Sequence, residues 1–527
     1  MIGRRQLLGA AGAGAVAQPA LVAAQNQRVL KFVPQADLAL LDPVQTTGLV
    51  TRNHGLLVFD TLYGVDMDLR PHPQMVEGHV VENDGLLWKM RLRPNLRFHD
   101  GEPVRARDCV ASIRRWASRD AYAATMMAAV DELSAPDDRE IRFRLKHPFP
   151  LLPDVLGKPG TNVCVIMPER LAAQDGLRQV TEMVGSGPYR FVANERIAGS
   201  RAVYAKFDGY VPRESGTPNY LSGPKHVHFD RVEWLTMPDA ATAAAALQRG
   251  EIDWWDQPLS DFLPLLQRRR DLKVEVLDTL GFLPMLRFNH LLPPFDNPAI
   301  RRAMLGAIRQ ADYMIAVAGE DRSRWREDVG FFAPGSPMAN DAGLEALRGP
   351  RDFDAVKRAL QEAGYRGERI VFPVPTDFAA LNAMSEVAGD MFRRIGLNLD
   401  YQALDWGTVL QRVASQQPAD QGGWHIWANY TLGVSCVNPA SQAYLRGIGR
   451  ATTFGWPTSP GLEALRDRWF QAPDLAAQQA ACREMQALAF QEVPYLPLGV
   501  FYQPTAYRSN LEGVLKGFPL FWNVRRA

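Results

Sequence analysis

The stretch Gly85–Trp116, GLLWKMRLRPNLRFHDGEPVRARDCVASIRRW, reads as strand, turn, second short strand and the start of a helix. Trp88, Met90 and Leu92 alternate with Lys89, Arg91 and Arg93, the period of two of a half-buried strand. Pro94 and Asn95 end it, and Leu96 and Phe98 resume the alternation up to His99-Asp100-Gly101, a turn whose Gly can take positive φ. After Pro103, Ala106, Val110, Ile113 and Ala117 recur at helical spacing, so the helix packs an apolar stripe back on the ribbon.

Working outward, Leu92-Arg93-Pro94-Asn95, Arg97-Phe98-His99-Asp100-Gly101-Glu102-Pro103 and Ala106-Arg107-Asp108 together closely resemble the extracellular solute-binding proteins of family 5. That is the dipeptide, oligopeptide and nickel class, whose members deliver ligands to ABC importers. The family usually has Thr at the position of Arg105; without that N-cap the helix loses roughly 1 kcal/mol. The likeness continues through Leu41-Asp42-Pro43, Val58 to Tyr63, the Glu82-Asn83-Asp84-Gly85 turn and Gly185-Ser186-Gly187-Pro188-Tyr189. Read alone, that Gly-Ser-Gly could cradle a phosphate, but it lacks the third Gly and the following helix, so a tight turn into a strand is the better reading.

The chain of 527 residues is too long for one hydrophobic core. Strands separated by helices predict largely parallel α/β sheets. Asp239 caps an Ala-rich helix to Arg249, closed by Gly250, and Asn297-Pro298 opens another. Further helices are expected over 355–363, 378–395, 461–470 and 474–492, with a strand over 495–502 that recrosses to the first lobe. The resemblance implies an α/β fold, periplasmic binding protein class II-like. It has two lobes with an extra domain, mixed β-sheets flanked by helices, and a hinge of two crossing strands. The expected division is domain I at 25–59, 185–284 and 501–527, accessory domain II at 60–184, and domain III at 285–500.

Residues 1–24 read as an export signal of twin-arginine type: Arg4-Arg5, then an apolar run too short and Gly/Ala-rich to span a bilayer. Cleavage is expected after Ala24 or Ala17, with ordinary Sec export left open because the residues flanking the pair depart from the Tat pattern. Removing both arginines from the formal charge of +1 leaves −1, and with no basic stripe a nucleic-acid role is excluded. No Cys follows the apolar run, so a soluble periplasmic protein without a lipid anchor is expected. Cys109, Cys164, Cys436 and Cys482 form no CxxC; a Cys109–Cys164 disulfide and buried free thiols both remain open.

Ligand residues are expected mainly in the segment 422–439. Peptide-binding members commonly carry a Trp, then an Asp that pairs with the peptide's α-ammonium group, then Asp-Pro. Aligning Asn438-Pro439 with that Asp-Pro puts Ser435 where the anchoring Asp would stand, and a neutral hydroxyl cannot give an ammonium the same charge-assisted bond. A free amino terminus is therefore recognised elsewhere or is not part of the ligand. If a strand runs through Trp424, then Trp424, Ile426 and Ala428 face one way and His425, Trp427 and Asn429 the other, with the second face toward ligand. Trp406, Trp427, Asn429, Tyr430 and Ser435 are the main candidates, joined by Thr46, Thr47 and Tyr502. For each aromatic residue, core packing is the competing reading.

His226 and His228 stand two apart without a nearby third ligand, so no metal and no cofactor is expected. His99 looks structural, and Asp253, Asp256 and Asp405 read as surface or hydrogen-bonded groups. With no GxSxG, HExxH or CxxC, no catalytic residue is assigned. The resemblance implies a monomeric, non-enzymatic carrier of a small peptide-like solute, working with an ABC permease in the inner membrane. An exported hydrolase or a ligand-presenting sensor on the same fold is the alternative.

Overall fold

The computed structural model describes residues 28–527; the expected export signal lies outside them. The described residues fall into two compact units, one of residues 28–148, Leu152–Leu277 and Pro504–Ala527, the other of Phe149–Leu151 and Asp278–Gln503.

In unit 1 the quoted stretch forms the strand Leu87–Leu92 and the helix Ala106–Ala117. Trp88, Met90 and Leu92 are buried, as the alternation requires. The second short strand does not form. Leu96 and Phe98 are buried, but Phe98 N–H donates to Glu102 O (2.8 Å) and Val104 N–H to Leu96 O (3.0 Å), closing a loop around Gly101 with one isolated bridge, Arg97 to Pro103. The helix start recovers part of the missing cap, since Arg105 N–H donates to the Asp108 carboxylate at 2.8 Å. The strand sits second in a four-stranded antiparallel sheet ordered 76–82, 87–92, 140–145, 130–134.

The larger sheet of unit 1 has seven strands, in the order 189–191, 201–206, 231–235, 29–33, 254–255, 505–508, 272–275. Only its centre is parallel: Val29–Val33 pairs parallel with Arg231–Leu235 and with Trp254–Trp255. The expectation of largely parallel sheets is therefore corrected, because hairpin and return strands add antiparallel neighbours to each crossover. Phe32 seats the core, its ring 5.6 Å from Trp234, 5.5 Å from Trp254 and 4.9 Å from Phe521. The helix Ala240–Arg249 runs between a capping Asp239 side chain and Gly250 at φ 75°.

Two family-like motifs prove to be joints. Asp42 accepts from Val44 N–H and Val180 N–H (both 2.9 Å) and from Arg115 Nη2 (2.6 Å), with both charged side chains fully buried. A Cβ on Gly185 or Gly187 would lie 2.0 Å from Val58 O or 2.6 Å from Leu57 O, so only glycine allows the backbones to close there. His99 bonds the same segment through Gly187 O at 3.0 Å.

Unit 2 centres on the strand Phe282–Phe288, all buried, with Ile426–Leu432 antiparallel on one side and Tyr495–Pro497 and Val500–Phe501 on the other. The expected single strand over 495–502 is thus two short ones, both inside unit 2. A parallel pair, Arg369–Pro375 with Asn398–Leu404, carries the crossover helix Ala379–Arg394. The helix expected over 355–363 starts two residues earlier, at Phe353, capped by Asp352, which accepts from Ala355 N–H. All four cysteines are buried free thiols, so the disulfide alternative falls away.

Candidate functional site

The segment read as the ligand site continues the central sheet of unit 2. Ile426–Leu432 pairs over seven positions with Phe282–Phe288, and the chain then tightens into a 3-10 turn, Gly433–Cys436, that carries Ser435. Gly433 is forced there: an added Cβ would stand 2.0 Å from Leu280 O, and its N–H donates to Gly281 O at 2.7 Å. Ser435 is half-buried.

The strand begins at Ile426, not at Trp424, which changes the expected facing. Trp424 and Trp427 share one aromatic cluster with Trp456, their rings 6.3 Å apart, so they are not on opposed faces. Trp424 Nε1 donates to Val413 O at 3.0 Å. His425 is buried and does not face solvent. Its N–H donates to Val371 O (3.0 Å) and its Nδ1 accepts from Val371 N–H (2.9 Å), docking this strand's start against the neighbouring parallel pair. Burial, seconded by Arg369, pulls its pKa down to about 4, which fixes the neutral ring that accepts.

What unit 2 brings together is a row of rings. Trp406 opens the helix Trp406–Val413, capped by Asp405, and lies 6.3 Å from Trp427 at an interplanar angle of 23°. Phe378 bridges Trp406 (5.4 Å) and Tyr430 (6.1 Å); Tyr430 touches Phe282 (5.4 Å) and Phe501 (5.6 Å), and those two stack at 5.2 Å. Trp427 is 2% exposed and belongs to the core, whereas Trp406 and Tyr430 keep part of their surface open. The Tyr430 hydroxyl is pushed up to about 12 by burial, so it is a neutral donor and acceptor at physiological pH.

Asn429 is half-buried and donates through Nδ2 to Tyr444 Oη at 2.9 Å. Beneath it Arg287 is fully buried, donating to Phe454 O and Tyr444 O (both 2.8 Å) and to Pro494 O (3.2 Å). Burial lowers its pKa to about 10. Tyr502 is half-buried, and its N–H donates to Arg324 O at 2.8 Å. Thr46 and Thr47 belong to unit 1; Thr46 Oγ1 accepts from Gly48 N–H at 3.1 Å, closing the loop before the helix Leu49–Val58, and Thr47 is exposed.

Sequence reasoning missed Phe282, Phe378, Phe501, Tyr444 and Arg287. The first three are apolar residues in ordinary strand or pre-helix positions, and only tertiary pairing joins them into a wall. Asp253 accepts from Lys31 N–H (2.8 Å) and Arg526 (2.9 Å), the hydrogen-bonded one of its two readings; Asp256 is buried, which removes only the surface alternative for it. Among the described residues no group of three or more His, Cys, Asp or Glu could hold a metal ion.

The family model "Bacterial extracellular solute-binding proteins, family 5 Middle" matches residues 70–444. The chain belongs to this family. Over 534 aligned residues, all of both chains, it is 35% identical to "Probable peptide ABC transporter periplasmic-binding protein y4tO" of Sinorhizobium fredii. It is 25% identical to the glutathione-binding protein GsiB of Pectobacterium atrosepticum, covering 90% of this chain and 88% of that one. Among solved structures, the family fold recurs in the binding protein AgaA of A. tumefaciens R10 in complex with agropinic acid (TM-score 0.77, 19% identity, 95% of this chain and 99% of that one). It recurs also in the dipeptide-binding protein of Pseudoalteromonas sp. SM9913 with Met-Leu (TM-score 0.76, 19% identity, 95% and 100%). No helix of the described residues is long and apolar enough to cross a membrane.

Proposed function

We propose that this family 5 protein is the periplasmic substrate-binding component of an ABC importer, capturing a small peptide-like solute by hinge closure and passing it unaltered to an inner-membrane permease. The observation that carries this reading is the 35% identity over the whole of both chains to a probable peptide transporter's periplasmic-binding protein. The glutathione named for the next relative is itself a peptide derivative. The protein acts as a monomer of three domains, with an accessory lobe at 60–184. Its ligand residues are Trp406, Asn429, Tyr430, Ser435 and Tyr502, with Trp427 backing Trp406 from the core and Thr46 and Thr47 on the first jaw. Trp406 and Tyr430, whose rings keep open surface, supply the broad contact area that peptides of varied sequence require. Ligand can drive closure only through contacts it makes in the closed state, so both jaws must hold it.

The test is mass spectrometry of solutes released from protein purified from the native periplasm, followed by titration of those solutes in calorimetry and small-angle scattering. Recovery of peptides that return intact and compact the protein is the expected result. Recovery of non-peptide solutes alone, or of cleaved products, refutes the reading.

A further inference from the structure

In unit 1 the three parallel strands Arg231–Leu235, Val29–Val33 and Trp254–Trp255 end at one edge of the sheet. The same edge is where the chain leaves and re-enters the unit, because Glu275 pairs with Thr505 and Trp255 with Ala506, and the unit breaks after Leu277 and before Pro504. Open α/β sheets bind ligands outside the carboxyl ends of their parallel strands. The first residue beyond the Trp254–Trp255 strand is Asp256, whose N–H donates to Val33 O at 3.0 Å. It is 7% exposed, a depth at which acidic side chains are rare unless paired.

Its surroundings come from three elements. The backbone of Gln35, just past the Val29–Val33 strand, and the charge of Arg52 on the helix Leu49–Val58 both favour its ionised form. That guanidinium is shared: it donates to Asn53 Oδ1 (3.1 and 3.0 Å) and lies 3.5 Å from the centre of the Phe518 ring. Next in the chain, Gln257 Nε2 donates to Gln35 Oε1 at 2.5 Å, and Gln35 is exposed. Burial outweighs the opposing pull of Arg52 and raises the Asp256 pKa to about 7. The arrangement is a buried carboxyl adjacent in sequence to a bonded pair of amides, at the carboxyl edge of the parallel strands.

We propose that Asp256 is the carboxylate that anchors a cationic amine of the ligand, with Gln35 and Gln257 as the flanking hydrogen-bond groups. This deepens the proposed function and rests on it: Ser435 offers no charge to an amino terminus, and Asp256 carries one. An arriving ammonium holds the acid ionised, so capture releases the proton that the empty site carries. With a starting pKa of about 7, release falls as pH rises from 6 to 8.

The mature chain is immobilised and offered a tripeptide library and its N-acetylated copy, with retained peptides counted by mass spectrometry. Retention of free-amine peptides at least tenfold over acetylated ones is expected, with Asp256→Asn reducing the ratio below threefold. The best-retained peptide is then titrated into the unmodified chain in buffers of different ionisation enthalpy at pH 6, 7 and 8; that readout needs no variant, so a poorly folding Asp256→Asn chain leaves the question decidable. Equal retention of both libraries, or proton release that does not change with pH, overturns the Asp256 assignment and leaves the peptide reading standing. Retention of neither library overturns the peptide reading and the assignment with it.

Discussion

The buried pair Asp60–Lys225 offers a quantitative test of how unit 1 is held. Lys225 Nζ donates to Asp60 Oδ1 at 2.7 Å, both side chains are 1% exposed, and the ammonium lies 4.7 Å from the centre of the Trp522 ring. Asp60 also accepts from Tyr210 Oη and from Thr61 N–H, each at 3.0 Å. Lys225→Met keeps the aliphatic stem but leaves a desolvated carboxylate with two neutral donors. Breaking one side of a buried pair costs about 3–5 kcal/mol. The double variant Asp60→Asn/Lys225→Met retains the bonds from Tyr210 and Thr61 and buries no charge. It is expected to cost about 2 kcal/mol less than Lys225→Met alone, since swapping a whole buried pair for neutral groups is often close to neutral. Urea denaturation of the wild type, both single variants and the double variant, followed by far-ultraviolet circular dichroism, gives the coupling energy from the midpoints at constant slope. A Lys225→Met cost below about 1 kcal/mol, or a double variant as unstable as the sum of the singles, would refute the reasoning.

Further outcomes follow from the site and from burial. Gly433→Ala must move the Leu280 carbonyl away from a Cβ built at 2.0 Å and stretch the bond to Gly281, costing about 2–4 kcal/mol from overpacking and a weakened hydrogen bond; an unchanged melting temperature would contradict it. Tyr430→Ala removes the ring that joins Phe378 to Phe282 and Phe501, and is expected to weaken binding of the co-purified solute by at least tenfold in calorimetry. Unchanged affinity would exclude Tyr430 from the wall. His54 is held neutral, its pKa lowered to about 3 by burial and then by Arg196, with Nδ1 2.9 Å from Tyr204 Oη. The unfolded chain takes up that proton below about pH 6.5 and the folded one does not, so stability is full above 6.5 and falls as pH drops toward 3, by about 2 kcal/mol at pH 5 from this residue. His54→Gln should lose correspondingly less between pH 7 and 5; parallel losses in both proteins would show that the imidazole does not titrate on unfolding.

Local features were legible because local chemistry decides them. The alternation from Trp88 to Leu92 gave the strand, and Asp239 with Gly250 bounded a helix whose ends need an acceptor at one terminus and a left-handed residue at the other. The near misses have the same origin: Asp352 and Asp354 stand two apart at the start of one helix, and only backbone geometry makes the first its cap and the second part of its first turn. The wall of rings was half legible. Side-chain parity in a strand depends on where the strand begins, and docking His425 on Val371 moved that start past Trp424. Phe282 and Phe378 stand far from Tyr430 in the chain, and no periodicity points to such partners. Asp256 follows two tryptophans in a two-residue strand, and its burial depends on the parallel pairing of that strand with the distant Val29–Val33, which no local pattern announces.

The thiols have a practical use. Cys109, Cys164, Cys436 and Cys482 are all sealed inside the protein, and burial drives each pKa upward, that of Cys436 to about 12. Nucleophilic attack needs the thiolate, so the native chain is blind to maleimide dyes. One cysteine engineered onto the surface becomes the sole reactive handle, and an environment-sensitive fluorophore placed there would turn the carrier into an optical reporter of its own cargo, with no native residue to remove first.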